Sequence, residues 1–215
     1  MRIDVIFDTI CPWCYVGKRR LERALAQRPL LRPEIRWKPF LLNPDMPARG
    51  VDRKTYLENK FGGPYRVKQM YAAVAAAGAS EGIPFSFETI VRTPDSLPSH
   101  RLIRMAQRMG RGAETVEAVF AAYFTRGIDI GADDALLELG LRLGLERGDI
   151  QAALGDENDS EQILSENTRA HRLGISGVPS YVFNESYALA GAQEADIFLR
   201  LIDLARETEA QAPVS

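Results

Sequence analysis

The tetrapeptide CPWC at residues 11–14 stands between two stretches of regular pattern. Before it, the run RIDVIF at residues 2–7 carries apolar side chains at alternate positions, which predicts a short strand. After it, apolar residues recur at approximate helical spacing from Pro12 to Ala26. The motif therefore lies at the turn from a first strand into a first helix.

The strand pattern occurs at both ends of the chain. A second strand is predicted over Glu34–Leu41, and turn residues then end a first β-α-β unit. The pattern returns after Gly177 with strands over Ser180–Phe183 and Tyr187–Ala190, joined by a hairpin turn. A closing helix is predicted over Glu194–Arg206.

The tail from Glu207 to Ser215 has no apolar face, and we expect it to fray. The middle of the chain is predicted to be helical, with glycine and proline marking the helix ends. Its one strand-like stretch is Phe85–Phe87. The predicted helices cover residues 52–60, 64–77, 97–109, 113–125, 133–143, 149–154 and 160–173.

This order of elements predicts an α/β chain with a thioredoxin-like fold, βαβ…ββα, whose middle connection is expanded into a large all-helical insertion domain. We expect residues 1–48 and 174–215 to form the thioredoxin-like domain. Residues 49–173 would form the helical insertion domain.

The two cysteines of the motif, Cys11 and Cys14, are the only cysteines in the chain. On the first turn of a helix their spacing puts both sulfurs on one side and close enough to bond. Pro12 fits the first helical position, where its missing N–H has no intrahelical partner to lose. Cys11 then lies at the helix N-terminus, which favours a thiolate. We predict Cys11 as the nucleophile and Cys14 as the thiol that resolves a mixed disulfide.

Two other features flank the cysteines. Trp13 either packs beside the site or forms an exposed apolar platform for a peptide, and both interpretations stay open. The sequence Gly177-Val178-Pro179 comes directly before the third predicted strand. A proline there is either ordinary strand punctuation or the site of a cis peptide bond.

The composition gives no electrostatic reason to expect a nucleic-acid partner. Lys and Arg number 27 against 29 Asp and Glu, for a formal net charge of −2. We interpret the short basic run Lys18–Arg20 as a solvated helix face. No stretch is apolar enough to span a membrane, and Met1–Asp4 leads directly into a strand, so we expect no leader and a cytoplasmic location. Close cysteine pairs there are more often catalytic or metal-binding than structural.

The sequence resembles the DsbA-like branch of the thioredoxin superfamily, and most closely the FrnE-like cytoplasmic thiol-disulfide oxidoreductases. The likeness spans most of the chain. It is carried by CPWCYVGKR at 11–19, FLLNP at 40–44, HRL at 100–102, SGVP at 176–179 and AGAQ at 190–193.

The resemblance implies that Pro179 is a cis-proline lying against the cysteine pair and that the backbone of Val178 pairs with an extended substrate. Family members commonly carry Ala-His-Arg in the inserted helix, whereas here Ser99 precedes His100. His100 is therefore both a candidate substrate-binding residue over the site and a candidate packing residue. His171 is interpreted as a structural residue at a helix C-terminus.

The predicted reaction is thiol–disulfide exchange without a bound organic cofactor or metal ion. The expected partners are protein or peptide thiols and disulfides, with glutathione as a further candidate, and neither nucleic acid nor membrane. The chain is expected to be a monomer or a homodimer. The sequence does not fix whether the pair oxidises, reduces or isomerises disulfides.

Three alternatives remain at this point. One is a glutathione-using isomerase or transferase related to 2-hydroxychromene-2-carboxylate isomerase and the kappa-class transferases, which resemble the same fold but typically have serine where Cys11 stands. Another is a zinc site formed by Cys11, Cys14, His100 and His171. The third is a redox-assisted chaperone whose helical part binds unfolded chains or a second copy.

Overall fold

The computed structural model describes residues 1–211, and both halves of the expected βαβ…ββα order are present in it. The strands are β1 (Arg2–Phe7), β2 (Glu34–Pro39), β3 (Val51–Asp52), β4 (Arg92–Thr93), β5 (Ser180–Phe183) and β6 (Tyr187–Ala190). The helices are α1 (Pro12–Ala26), α2 (Arg53–Phe61), α3 (Pro64–Ser80), α4 (Leu97–Arg108), α5 (Gly112–Arg126), α6 (Asp133–Arg142), α7 (Arg147–Leu154), α8 (Glu157–Arg172) and α9 (Ala195–Gln211).

The main sheet has the strand order β2-β1-β5-β6. β1 is parallel to β2 because α1 crosses between them, and it is antiparallel to β5, which forms a hairpin with β6. α1 packs against α9, while α4, α5 and α8 contact β2. The thioredoxin-like fold predicted from the sequence is confirmed.

Strand β2 ends at Pro39, two residues before the predicted end at Leu41. The Phe40 amide still donates to the Phe7 carbonyl, at 2.8 Å. The next two amides bind side chains instead of a neighbouring strand: Leu41 N–H donates to Asn167 and Leu42 N–H donates to Asp8. The ladder therefore stops where side chains take over its hydrogen bonds.

Helix α9 is longer than the sequence predicts. It continues past Arg206 to Gln211, so the expected fraying is wrong for residues 207–211, and residues 212–215 lie outside the described part. Residues on or next to the sheet bind the extra turns of α9. The Glu209 carboxylate pairs with the N-terminal amine of Met1 at 3.2 Å, and Thr208 hydrogen-bonds to Tyr187 on β6.

Several helix ends follow from local capping. The Asp52 side chain accepts a hydrogen bond from the Thr55 amide at the start of α2, and Asp156 does the same for the Asp159 amide in α8. Gly62 ends α2 with φ of 79°, a left-handed conformation that favours glycine.

In the described residues, no helix is both long and apolar enough to cross a bilayer.

The sequence predicted a wholly helical insertion, but the insertion also contains two short strands. β3 and β4 pair antiparallel, but each is only two residues long, which is too short to show a period. The strand-like stretch Phe85–Phe87 does not form a strand. Phe87–Thr89 instead forms a 3₁₀ turn, and the Phe85 and Phe87 rings stack with centroids 4.8 Å apart, so both apolar side chains face the same side.

The insertion joins the sheet through stacked aromatic rings. Phe120 on α5 lies 5.1 Å from Tyr15 on α1 and 6.0 Å from Phe7 on β1, between ring centroids. All three side chains are buried, and one cluster of buried residues extends through both parts of the chain. The proposed division into residues 1–48 plus 174–215 and 49–173 stays a prediction.

Charged residues of α1 strengthen the same junction. Glu117 on α5 accepts hydrogen bonds from Lys18 at 2.6 Å and from Arg19 at 2.5 Å. Arg20 pairs with Glu81 and donates to the Ala192 carbonyl. Lys18 and Arg20 are buried, so the interpretation of this run as a solvated face is wrong for both. Their charges are paired with carboxylates that lie far away in the sequence.

We expect Phe120→Ala to lower the free energy of unfolding by about 3–5 kcal/mol, because the ring leaves a cavity at the junction. Urea unfolding followed by circular dichroism measures this loss. Leu30→Ala is the matched control, since Leu30 is 98% exposed, and it should change the stability little. A loss below about 1 kcal/mol for Phe120→Ala would show that the ring does not hold the two parts together.

Candidate active site

The cysteine pair lies at the N-terminus of α1, at the end of β1. Cys11 has extended backbone angles, φ −93° and ψ 110°, and Pro12 begins the helix after it. The Cys11 amide donates to the Asp8 carbonyl at 3.1 Å, which fixes the turn between strand and helix. Among residues 1–211, no side chain caps α1. The sulfur of Cys11 therefore lies next to the amide end of the helix, where negative charge is favoured.

Both cysteines are free thiols, and the fold brings them together. The Cys11 sulfur lies close enough to raise the pKa of the Cys14 thiol. Cys11 is 5% exposed and Cys14 is 3% exposed, so the outer sulfur has only a narrow opening to solvent.

The segment Val178–Pro179 lies directly against the pair. Its peptide bond is cis. The Cys11 thiol donates to the Val178 carbonyl, with 3.5 Å between sulfur and oxygen. Pro179 is buried and Val178 is half-buried. Of the two residues inside the motif, Pro12 and Trp13 are both half-buried, and Trp13 packs partly against the core.

A buried polar cluster lies beneath the motif, at the carboxyl end of β1. The Asp8 carboxylate is fully buried and accepts the Leu42 amide at 2.7 Å. The Thr9 hydroxyl is 2.8 Å from the Ser99 hydroxyl on α4. This cluster ties the start of the CPWC turn to the segment after β2 and to the insertion.

His100 belongs to this cluster. Its Nε2 lies 3.4 Å from the nearer carboxylate oxygen of Asp8, and its ring packs edge-on against Phe7 with centroids 5.1 Å apart. With 2% exposure it does not form part of an open surface over the thiols. His171 lies elsewhere, exposed at the end of α8 with its ring 4.7 Å from Phe40.

The two cysteines and two histidines do not form a common ligand set. His100 faces Asp8 and Phe7, whereas His171 packs on Phe40. Within residues 1–211 no group of three or more His, Cys, Asp or Glu side chains is arranged to hold a metal ion. The arrangement therefore does not favour the zinc alternative.

Sequence reasoning missed two residues of this site. The sequence patterns give no role to Asp8, although a charged residue at the end of a buried strand indicates a polar site. Tyr181 was placed in a strand and given no role. Its hydroxyl is buried beside Gly17 and Pro179, and no hydrogen-bond partner for it occurs in the described part of the chain.

Burial changes the acidity of the Cys14 thiol. It raises the pKa of the Cys14 thiol well above its ordinary value, and the neighbouring Cys11 sulfur raises it further. Cys14 therefore stays protonated at neutral pH in the resting dithiol.

We expect Cys14 in a Cys11→Ser variant to react with iodoacetamide at pH 7 at least about tenfold more slowly than Cys11 does in a Cys14→Ser variant, because each unit of raised pKa reduces the thiolate fraction about tenfold. The Cys14 rate should still be rising with pH above pH 9. Unfolded in guanidinium, both variants should react alike. Equal rates in the folded proteins would contradict the assignment.

Comparisons with known proteins agree on the fold. A probable DsbA oxidoreductase from Streptomyces coelicolor superposes with a TM-score of 0.86 at 29% identity, over 96% of this chain and 90% of that one. A 2-hydroxychromene-2-carboxylate isomerase superposes with a TM-score of 0.71 at 18% identity, over all of both chains. The cytosolic disulfide reductase DsbM from Pseudomonas aeruginosa, in a structure with glutathione, gives 0.67 at 21% identity over 98% of each chain.

At 18% and 21% identity, the likenesses to the isomerase and to DsbM show the fold alone. The family comparison extends over nearly the whole chain: the DSBA-like thioredoxin domain matches residues 2–203. That range includes the cysteine motif, the sheet and the inserted helices. This chain therefore belongs to the DSBA-like thioredoxin domain family.

Proposed function

We propose that this chain catalyses thiol–disulfide exchange through Cys11 and Cys14. The observation that carries the proposal is the pair of free thiols, three residues apart, at the amide end of α1. A buried cysteine pair that served only for packing would not need that position. Membership of the DSBA-like family supports redox chemistry at sulfur in general.

The reaction begins at Cys11. Its thiolate attacks one sulfur of a substrate disulfide, a bond from Cys11 to that sulfur forms, and the other substrate sulfur leaves as a thiolate that takes a proton from water. Cys14 then loses its proton to water and attacks Cys11. The Cys11–Cys14 disulfide forms, the substrate's second thiolate leaves, and two electrons have passed to the substrate.

The raised pKa of Cys14 supports this order of events. A thiol that is protonated at rest does not compete for the incoming disulfide, and it acts only when the mixed disulfide has brought a reactive sulfur within reach. Run in reverse, the same steps oxidise a substrate dithiol. The direction depends on the reduction potential of the pair against that of its surroundings.

We propose that substrates reach Cys11 along the Val178 backbone. The Val178 carbonyl already accepts the Cys11 thiol, so an extended chain that pairs with Val178 would bring its sulfur next to Cys11. Trp13, half-buried beside the pair, would contact such a chain. Pro179 is buried and follows Val178 through the cis peptide bond, so we propose that it holds this backbone segment in position.

Protein or peptide disulfides and glutathione are the proposed substrates. DsbM is described as a cytosolic disulfide reductase and was solved with glutathione, and we extend both ideas to this chain as proposals: a cytoplasmic location and glutathione as one thiol partner. We therefore propose that the chain acts as a thiol-disulfide oxidoreductase of the FrnE-like kind. Any effect of His100 on substrates would act through its contact with Asp8.

A Cys14→Ser variant should accumulate mixed disulfides with its substrates, because Cys11 can attack but nothing resolves the product. Incubation with oxidised glutathione or with a peptide disulfide, followed by mass spectrometry, should show one added group on Cys11. The matched Cys11→Ser variant should trap none, since its remaining thiol is buried and protonated. Equal trapping by both variants would refute the assigned roles.

We also expect the wild-type pair to exchange reversibly with glutathione. Titration against glutathione buffers, with free thiols counted after acid quenching, should give one two-electron transition from dithiol to disulfide, in which about 30 mV changes the ratio tenfold. The midpoint sets the direction of electron flow. A protein that keeps both thiols free in fully oxidised buffer would rule out the proposed chemistry.

A further inference from the structure

The side chain of Tyr181 presents a buried hydroxyl with no partner in the described structure. Tyr181 is fully buried on β5, and its hydroxyl oxygen makes no hydrogen bond. A hydroxyl buried in that way is unfavourable, and folded proteins keep few of them. A phenylalanine of the same shape would avoid the problem, so the hydroxyl calls for a functional reason.

The position of this hydroxyl is defined by Gly17 on α1. The Tyr181 hydroxyl oxygen lies 2.2 Å from the point that a Cβ of Gly17 would occupy, and the Pro179 ring lies 3.1 Å from the same point. Any larger residue at 17 would displace one of them. Gly17 follows Cys14 by nearly one helical turn, so the two lie on the same side of α1. The hydroxyl is thus held beneath the cysteine turn.

Charge on either cysteine acts on this hydroxyl, which lies beside Gly17 and Pro179. Burial raises the pKa of Tyr181 well above its ordinary value, and negative charge on Cys14 or on Cys11 raises it further, while Arg20 lowers it. The hydroxyl therefore keeps its proton at neutral pH. It is a hydrogen-bond donor without an acceptor, next to sulfurs that become charged during the proposed reaction.

Ionisation of Cys14 is otherwise opposed at this site. Burial, the Cys11 sulfur and the Asp8 carboxylate at the end of β1 all raise the pKa of Cys14, and only the backbone of Asp8 lowers it. The proposed reaction nevertheless requires a Cys14 thiolate in its second step. A neutral hydroxyl whose O–H bond rotates toward the Cys14 sulfur would stabilise the thiolate without adding a charge to the resting site.

We propose that the Tyr181 hydroxyl donates a hydrogen bond to the Cys14 sulfur as it becomes a thiolate, and thereby speeds its attack on the Cys11 mixed disulfide. The inference rests on the proposed exchange reaction and assigns a third side chain to its second step. The proton of Cys14 goes to water and the leaving thiolate takes one from water. Tyr181 keeps its own proton throughout, and no further oxidant or reductant is needed.

The test compares Tyr181→Phe with wild type in a rapid-quench experiment. The dithiol protein is mixed with excess bis(2-hydroxyethyl) disulfide, a small uncharged probe that fits a narrow opening, then quenched in acid and weighed by mass spectrometry. We expect the mixed disulfide to form at the wild-type rate and to resolve about tenfold more slowly, the effect of losing one hydrogen bond to a charged group. The rate of resolution should also rise at a higher pH than in wild type.

Two controls separate this effect from a general disturbance. Tyr187→Phe removes a hydroxyl on the neighbouring strand β6, where the partner is Thr208, and should resolve at the wild-type rate. In a Cys14→Ser background, which has no second step, adding Tyr181→Phe should leave formation of the mixed disulfide unchanged.

Wild-type resolution in Tyr181→Phe would overturn the inference and leave the proposed function standing. Equal slowing in Tyr187→Phe would also overturn it, because the effect would then not depend on the buried hydroxyl. A wild-type protein in which the probe oxidises neither cysteine would overturn both the inference and the proposed function.

Discussion

The buried carboxylate of Asp8 is the point on which the site is assembled. It accepts the Leu42 amide from the segment after β2, it faces His100 from the insertion, and the carbonyl of the same residue accepts the Cys11 amide. Three distant segments thus meet on one residue at the end of β1. A carboxylate is stable in such a place only when its oxygens are hydrogen-bonded, so these contacts reinforce one another.

The sequence was most informative where a local rule determines structure. The limits of β1 and α1 were predicted correctly because apolar spacing and a proline at the first helical position act within a few residues. The pair β3 and β4 was missed because two residues show no period. The burial of Lys18 could not be foreseen, since Glu117 is its neighbour only in the folded chain.

The same distinction holds at the site. The spacing of Cys11 and Cys14 predicts their proximity, because both lie on one helical turn. Tyr181 approaches Gly17 only after β5 has paired with β1, and no spacing along the chain encodes that contact. Sequence therefore predicted the two candidate reacting sulfurs, whereas their immediate surroundings depend on which strands come together in the sheet.

The aromatic contact of Phe120 with Phe7 and Tyr15 makes the inserted helices a fixed wall rather than a moving cover. Swinging them away would separate rings that are fully packed. Because Cys11 is only 5% exposed, the shape of a substrate would decide whether its sulfur reaches the Cys11 sulfur. If Cys11 reacts as proposed, a sulfur at the tip of a slender or unfolded segment would reach it, whereas a disulfide lying flat within a folded domain would not.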